Sequence, residues 1–100
     1  MTSGDKELLE EYKHLQGLIH KVADQLVPVV VEIDALRRKS KSTELTAEEE
    51  ERLSELESRR NDLSAEHKEL LRRRNEVNAG FETNEGKKAA YLFTRRKRES

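Results

Sequence analysis

Apolar residues in the first forty positions recur by alternating steps of four and three. A strand alternates with period two, so this spacing indicates a helix. The pattern is sustained without a miss for about four heptads, which is typical of a helix that packs along another helix. The apolar positions of this first seam are Leu8, Tyr12, Leu15, Ile19, Val22, Leu26, Val29, Ile33 and Leu36.

A second, thinner seam follows in the other half of the chain. Apolar residues recur every seven positions, and the alternate row begins with Leu53 but continues with cationic residues. The spacing predicts a second helix in which apolar and cationic layers alternate. The apolar row contains Leu56, Leu63, Leu70 and Val77, and the cationic row contains Arg60, His67 and Arg74.

The segment between the seams is polar and carries a signal for the start of a helix. Thr46 and Glu49 have the spacing of a capping box, and acidic residues fill the turns that follow. Gly80 suits a C-terminal cap. We therefore predict helices over about 4–41 and 47–79 that form one antiparallel hairpin of residues 1–80, an all-α coiled coil.

An antiparallel hairpin turned in the polar segment places Leu26 opposite Leu63. Equal steps along both helices then pair the remaining seam positions. The flanking charges favour the same register, because it brings Glu32 near both Arg52 and Arg59 and brings Arg37 near Glu50. Exposed ion pairs contribute only about 0.2–1 kcal/mol each, so they adjust this register and do not create it. The same register brings Leu8 to Phe81.

The one proline of the chain, Pro28, lies in its densest apolar run. The first seam continues through Pro28, which falls on the outer side of the helix. We expect a continuous helix with a kink, because proline removes one hydrogen bond. The alternative is a break, in which Pro28 is the first residue of a new helix.

Residues 27–33 are apolar in every direction except that of Glu32. A two-helix hairpin covers one side of this segment, whereas a helix that is apolar all round is normally covered all round. We therefore predict a docking edge for a second copy, as in a helical bundle, or for a partner helix. The alternatives are a monomer or coverage by the chain's own tail. The predicted partner-binding residues are Val27, Val30, Val31, Leu71, Ala23 and Leu9.

The last residues, 81–100, form a basic appendage. Asn84-Glu85-Gly86 is a turn signal or the start of a short helix capped by Asn84. We predict the short helix; a small hairpin of residues 81–83 and 89–93 is the alternative.

The charge of the chain is distributed unevenly. The formal net charge is −1, but the residues from Lys87 onward carry +5 and the rest of the chain −6. Basic residues around aromatic ones suit phosphate contact and base stacking, so nucleic-acid binding is the second predicted function. An anionic membrane surface, a nuclear address and a solvated terminus are alternatives. The candidate residues are Lys87, Lys88, Tyr91, Phe93, Arg95, Arg96, Lys97 and Arg98.

The sequence contains little that indicates catalysis. It has no cysteine, and Glu11 and His14 form a single carboxylate-histidine pair without the second that a di-metal bundle requires. We predict no catalytic residue, no metal, no cofactor and no small-molecule substrate. An enzyme that binds an anion between Arg60 and Arg74 is a third hypothesis.

These patterns together predict a non-enzymatic module for protein interaction, scaffolding or regulation. The chain contains no stretch near the about 20 apolar residues of a membrane span and no apolar run suited to a secretory signal. We therefore expect no membrane association and an intracellular location, cytoplasmic or nuclear.

Overall fold

A computed structural model describes residues 2–99 of the chain, with side chains described for residues 2–95. Within that range the chain forms three helices and no strands: α1 is Ser3–Ser42, α2 is Ala47–Ala79 and α3 is Asn84–Glu99. The long helices α1 and α2 pack against each other as an antiparallel hairpin. The predicted all-α hairpin with a short C-terminal helix is therefore confirmed.

Helix α1 begins at a side-chain cap and is not interrupted at the proline. The backbone N–H of Asp5 donates to Thr2 Oγ1 at 3.1 Å, which satisfies one of the free donors of the first turn. Pro28 lies exposed inside the helix, and helical structure continues on both sides of it. The alternative of a helix break at Pro28 is therefore wrong.

Helix α2 begins with the predicted capping box. Glu49 N–H donates to Thr46 Oγ1, and Thr46 N–H donates to a carboxylate oxygen of Glu49, both at 3.1 Å. At the other end, the N–H of Gly80 donates to the carbonyls of Glu76 and Val77 at 3.1 and 3.0 Å. The backbone of Gly80 does not have a positive φ, so it ends the helix without the left-handed conformation common at such caps.

The chain divides into two compact units, one of residues 21–68 and one of residues 1–20 with 69–100. In the unit of residues 21–68, α1 and α2 bury seam residues of both helices, while Leu26, Leu36, Leu53 and the cationic-row residues Arg60 and His67 are half-buried. Long cationic side chains cover apolar surface with their stems, which explains why these layers are tolerated. The buried residues of this unit are Val22, Val29, Ile33, Leu56 and Leu63.

Exposed ion pairs flank the seam of the 21–68 unit. The Arg52 guanidinium donates two hydrogen bonds of 3.0 Å to the carboxylate of Glu32, as the predicted register requires. Arg37 donates to Glu57 at 3.1 Å, a different glutamate from the predicted Glu50. Glu50 and Glu57 are seven residues apart and share one helix edge, so a long side chain on the facing helix can reach toward either of them.

The unit of residues 1–20 and 69–100 contains α3 as a third helix. Its buried apolar residues come from all three helices and from the connection between α2 and α3. Leu8 is half-buried, and its Cδ1 atom lies 3.5 Å from the position that a Cβ on Gly80 would take, close to the predicted contact with Phe81. The buried apolar residues are Tyr12, Leu15, Ile19, Leu70, Val77, Phe81 and Ala90.

Helix α3 shows that the hairpin alternative for residues 81–93 is wrong. Its cap is not Asn84, because the N–H of Gly86 donates to Thr83 Oγ1 at 3.1 Å and the N–H of Lys87 donates to the Thr83 carbonyl at 3.3 Å. Thr83 therefore holds the N-cap position, and Asn84 is the first residue of the helix.

None of the helices described is long and apolar enough to cross a membrane. The division of the chain at residue 80 into a hairpin and an appendage stays a prediction.

Candidate interaction sites

A buried carboxylate at the start of α1 holds the start of α3. Asp5 has no solvent-exposed surface, and its carboxylate accepts hydrogen bonds from the Thr83 hydroxyl at 2.5 Å and from the N–H groups of Glu82 and Thr83 at 2.9 and 3.1 Å. The Thr83 hydroxyl, followed by the Glu82 N–H, holds the pKa of Asp5 below its usual value. A negative charge also suits the N-terminus of α3.

Gly86 is buried against Asp5 and Phe81, and this packing leaves no room for a side chain. A Cβ at Gly86 would lie 2.7 Å from Phe81 Cδ1 and 2.8 Å from Asp5 Oδ2. Both neighbours are buried, so neither is free to move away. Glycine is therefore required here by close approach, and the carboxylate of Asp5 comes near the first turn of α3.

A second polar contact fixes the far part of α3 on α1. The Tyr12 hydroxyl and Thr94 Oγ1 lie 2.5 Å apart, and Thr94 Oγ1 donates to the Ala90 carbonyl at 3.1 Å. Because the Thr94 proton is used in that bond, Tyr12 donates to Thr94. Ala90 is fully buried, so this side of α3 is its packing side.

Lys13, Leu9 and Phe93 form the edge of that packing. The ammonium of Lys13 lies 5.7 Å from the centre of the Phe93 ring, within reach of a cation–π interaction. Leu9 and Phe93 line a shallow groove of about 250 Å³ together with Ala89 and Leu92. Phe93, a predicted nucleic-acid contact, is thus half-buried beside α1, and Leu9, a predicted partner contact, lies beside α3.

The opposite side of α3 is exposed and basic. Tyr91 is 63% exposed, Leu92 is 39% exposed, and Lys87 and Lys88 are exposed one helical turn before Tyr91. Arg95 is exposed one turn after Tyr91. The predicted residues Arg96, Lys97 and Arg98 lie outside the described side chains.

Three valines on the outer side of α1 form the largest exposed apolar feature of the 21–68 unit. Val27 and Val31 are each 62% exposed, Val30 is 46% exposed, and Pro28 is exposed beside them. Exposed apolar residues clustered on one helix face are the usual sign of a contact surface. We call Val27, Val30 and Val31 the valine face.

Charged residues lie within two helical turns of the valine face on either side along α1. Asp24 precedes it and is exposed, while Asp34 and Arg38 follow it. Arg38 donates to Asp34 at 2.8 Å, and both side chains remain more than half exposed. Asp24, Val27, Val31 and Arg38 are separated by three, four and seven residues, so they share one side of α1.

The remaining predicted partner contacts are less exposed than the valine face. Ala23 is half-buried one turn before Val27 on α1, and Leu71 is half-buried on α2 in the other unit.

The two arginines of the enzyme hypothesis each have a hydrogen-bond acceptor. Arg74 donates to the side-chain oxygen of Gln16, which is buried, at 2.9 Å. Arg60 donates to Asn61 at 3.4 Å. Each bond uses one of the five N–H donors of its guanidinium, and the enzyme hypothesis stays a prediction.

A polar groove of about 650 Å³ lies between α1 and α2 in the 21–68 unit. Its lining mixes both charges, with Arg59 among Glu55, Asp62 and Glu66. Among the described residues, no three histidine or acidic side chains are arranged to hold a metal ion. Glu11 and His14 are both exposed.

Sequence reasoning missed Asp5 and Thr83 as the contact that positions α3. The sequence does carry local signals for both caps, since Thr2 and Asp5, and likewise Thr83 and Gly86, are three residues apart. The bond between the two ends spans 78 residues, and no local pattern indicates it.

The fold and these two surfaces define an all-α protein with an antiparallel helical hairpin, a valine face on α1 and a basic aromatic face on α3. No protein-family model, curated protein or solved structure matches the chain.

Proposed function

We propose that this chain is a non-enzymatic interaction module that self-associates through the valine face. The single observation behind the proposal is the exposure of Val27, Val30 and Val31 on consecutive turns of a helix whose other side is already packed. Water contact at these valines is unfavourable, and a second apolar helix surface removes it.

The face is complementary to a second copy of itself. If two α1 helices cross in opposite directions with a two-fold axis at Val31, Val27 meets Ala35 of the other copy. The same axis brings Asp24 opposite Arg38 of the other copy, twice. A two-fold contact of this kind repeats every favourable pair, so apolar contact in the centre is combined with opposite charges at both ends.

The size of the face indicates how strong the association is. Full burial of one valine contributes about 1.5–3 kcal/mol, so the exposed parts of three valines contribute about 5–10 kcal/mol when two copies are counted. Association costs about 4–15 kcal/mol in lost freedom. The two values are comparable, and we therefore expect a reversible dimer whose population depends on concentration.

Sedimentation equilibrium from micromolar to millimolar concentration tests the proposal. We expect a monomer–dimer equilibrium that Val31→Asp or Val30→Asp abolishes, because a carboxylate would be buried at the centre of the contact. Gln25→Glu is the matched control, since it adds the same charge to an exposed position elsewhere on α1 and should leave the equilibrium unchanged.

A charge exchange tests the proposed register. Asp24→Arg or Arg38→Asp alone should weaken the dimer, because each places like charges opposite each other. The double variant restores opposite charges and should recover most of the association. A monomer at every concentration, or a dimer insensitive to Val31→Asp, would refute self-association through this face.

A further inference from the structure

The outer face of α3 carries an exposed aromatic ring among basic side chains, and nothing in the proposed self-association uses it. Lys87 and Lys88 are exposed one turn before Tyr91, and Tyr91 itself is 63% exposed. We propose that this face binds single-stranded nucleic acid, with the lysines on phosphates and Tyr91 stacked on a base.

Charge complementarity favours a polyanion. The residues from Lys87 onward carry a net charge of +5, whereas the rest of the chain carries −6. An acidic body repels polyanions, so a ligand of this class is directed to the basic segment alone. Binding to phosphates releases condensed counterions and is therefore strongest at low salt.

The burial of the other aromatic residues singles out Tyr91. The chain has two tyrosines and two phenylalanines. Tyr12 and Phe81 are buried, and Phe93 is half-buried with Lys13 over its ring. Tyr91 is thus the one aromatic residue whose ring remains open to a base, and stacking on an open ring tolerates any base.

The packing of α3 argues against a membrane surface as the ligand. An interfacial helix inserts a broad apolar side into the lipid. Here Ala90 is fully buried and Phe93 is half-buried, so the apolar side of α3 already packs on protein. Among the side chains described in α3, through residue 95, only Tyr91 and Leu92 remain as large exposed apolar groups. The lysines beside them suit phosphate contact.

Fluorescence anisotropy of the full chain with labelled dT20 and U20 oligonucleotides tests the proposal. We expect binding at about 50 mM salt that weakens linearly on a logarithmic scale as salt increases. If each lysine neutralises one phosphate, Lys87→Gln with Lys88→Gln reduces the slope by about 1.4. With equal affinities at 1 M salt, this slope change weakens binding about sixty-fold at 50 mM.

The matched control is Lys21→Gln with Lys68→Gln, which removes two exposed lysines from the 21–68 unit and changes the net charge equally. This pair should alter affinity only a few-fold. Tyr91→Ala should weaken binding about five- to a hundred-fold, whereas Tyr91→Phe keeps the ring and should retain most of the affinity. Circular dichroism confirms that each variant is folded.

Three results would overturn the proposal. The first is no binding of either oligonucleotide at low salt. The second is an equal loss in both lysine pairs, which would show that net charge alone acts. The third is binding to vesicles that contain phosphatidylserine, in a co-sedimentation assay, without binding to the oligonucleotides, because that result would assign the face to a lipid surface.

Discussion

The two compact units bury their apolar seams with different numbers of helices. In residues 1–20 and 69–100, α3 adds a third helix, and its contacts with α1 include the buried carboxylate of Asp5 and the hydrogen bond between Tyr12 and Thr94. In residues 21–68 there are only α1 and α2, and the ion pairs that flank their seam are partly exposed to solvent.

The comparison explains why the exposed valines occur where they do. Two helices cover one side of each other, and a third covers more. In the three-helix unit Ala90 and Phe81 provide that extra cover, whereas in the two-helix unit Val27 and Val31 keep 62% of their surface in water. The difference supports the proposal that a second copy provides the missing cover.

The largest predicted effect is in the two-helix seam. Ile33 is 3% exposed, and Ile33→Ala should lower the free energy of unfolding by about 2–5 kcal/mol because it leaves a cavity. Val30→Ala, on the exposed side of the same helix, should change it by about 0.5 kcal/mol or less under monomeric conditions. Urea unfolding measures both. Equal losses would show that Val30 belongs to the hairpin's own core.

Replacement of Pro28 should increase the stability of the two-helix unit. Inside a helix, proline is about 3 kcal/mol less favourable than alanine, and Pro28 is exposed within α1. Pro28→Ala should therefore raise the free energy of unfolding by up to about 3 kcal/mol in thermal or urea unfolding. A loss of stability would mean that the proline ring makes packing contacts that outweigh its lost hydrogen bond.

Substitutions at two glycines test how tightly the three-helix unit is packed. Gly86→Ala should lower the free energy of unfolding by about 1–3 kcal/mol, because the new Cβ would contact Phe81 and Asp5 too closely. Gly17→Ala is the matched control within α1, where no atom lies within 4 Å of the new Cβ, and it should raise stability by about 0.5–1 kcal/mol. Stabilisation by both substitutions would contradict the described packing at Gly86.

The packing of α3 on α1 should weaken in acid, because it depends on the ionised carboxylate of Asp5. Its pKa is lowered in the folded protein, so its contribution to stability is complete above the unfolded value near 3.8 and is lost as pH falls through the folded value. A detached helix of this length is marginal in water and should unfold. α3 supplies 16 residues beside the 40 and 33 of α1 and α2, so its release and unfolding should remove less than a fifth of the ellipticity at 222 nm.

The control for this acid transition is Asp5→Asn, which should show the loss of α3 packing already at neutral pH. If the ellipticity at 222 nm stayed constant between pH 7 and 2 in both proteins, it would contradict the role given to Asp5.

The smallest effect is expected at an exposed ion pair of the two-helix unit. Arg37 donates to Glu57 at 3.1 Å, and both side chains are more than a third exposed. Arg37→Gln should lower the free energy of unfolding by less than about 1 kcal/mol, and 0.5 M salt should reduce the difference further. A loss larger than that of Gly86→Ala would show that surface charge, and not apolar packing, stabilises this unit.

Local patterns predicted the hairpin, because heptad spacing and the Thr46–Glu49 capping box act within a few residues. The same spacing indicated that Arg60, His67 and Arg74 are cationic layers, and all three are half-buried. The positions of Leu9 and Phe93 were not predictable in the same way, since they depend on where α3 packs. Asp5, Thr83 and Gly86 decide that position through bonds between the two ends of the sequence.

Disulfide trapping reports directly whether two valine faces meet, since the chain has no cysteine of its own. In the proposed register Val31 lies on the two-fold axis, so Val31→Cys should form a cross-linked dimer rapidly under mild oxidation, while Gln25→Cys should stay monomeric. A disulfide requires Cα atoms within about 4.4–6.8 Å, so rapid linkage reports close apposition. Absence of linkage at position 31, or equal linkage at both positions, would show that the chain does not self-associate through the valine face.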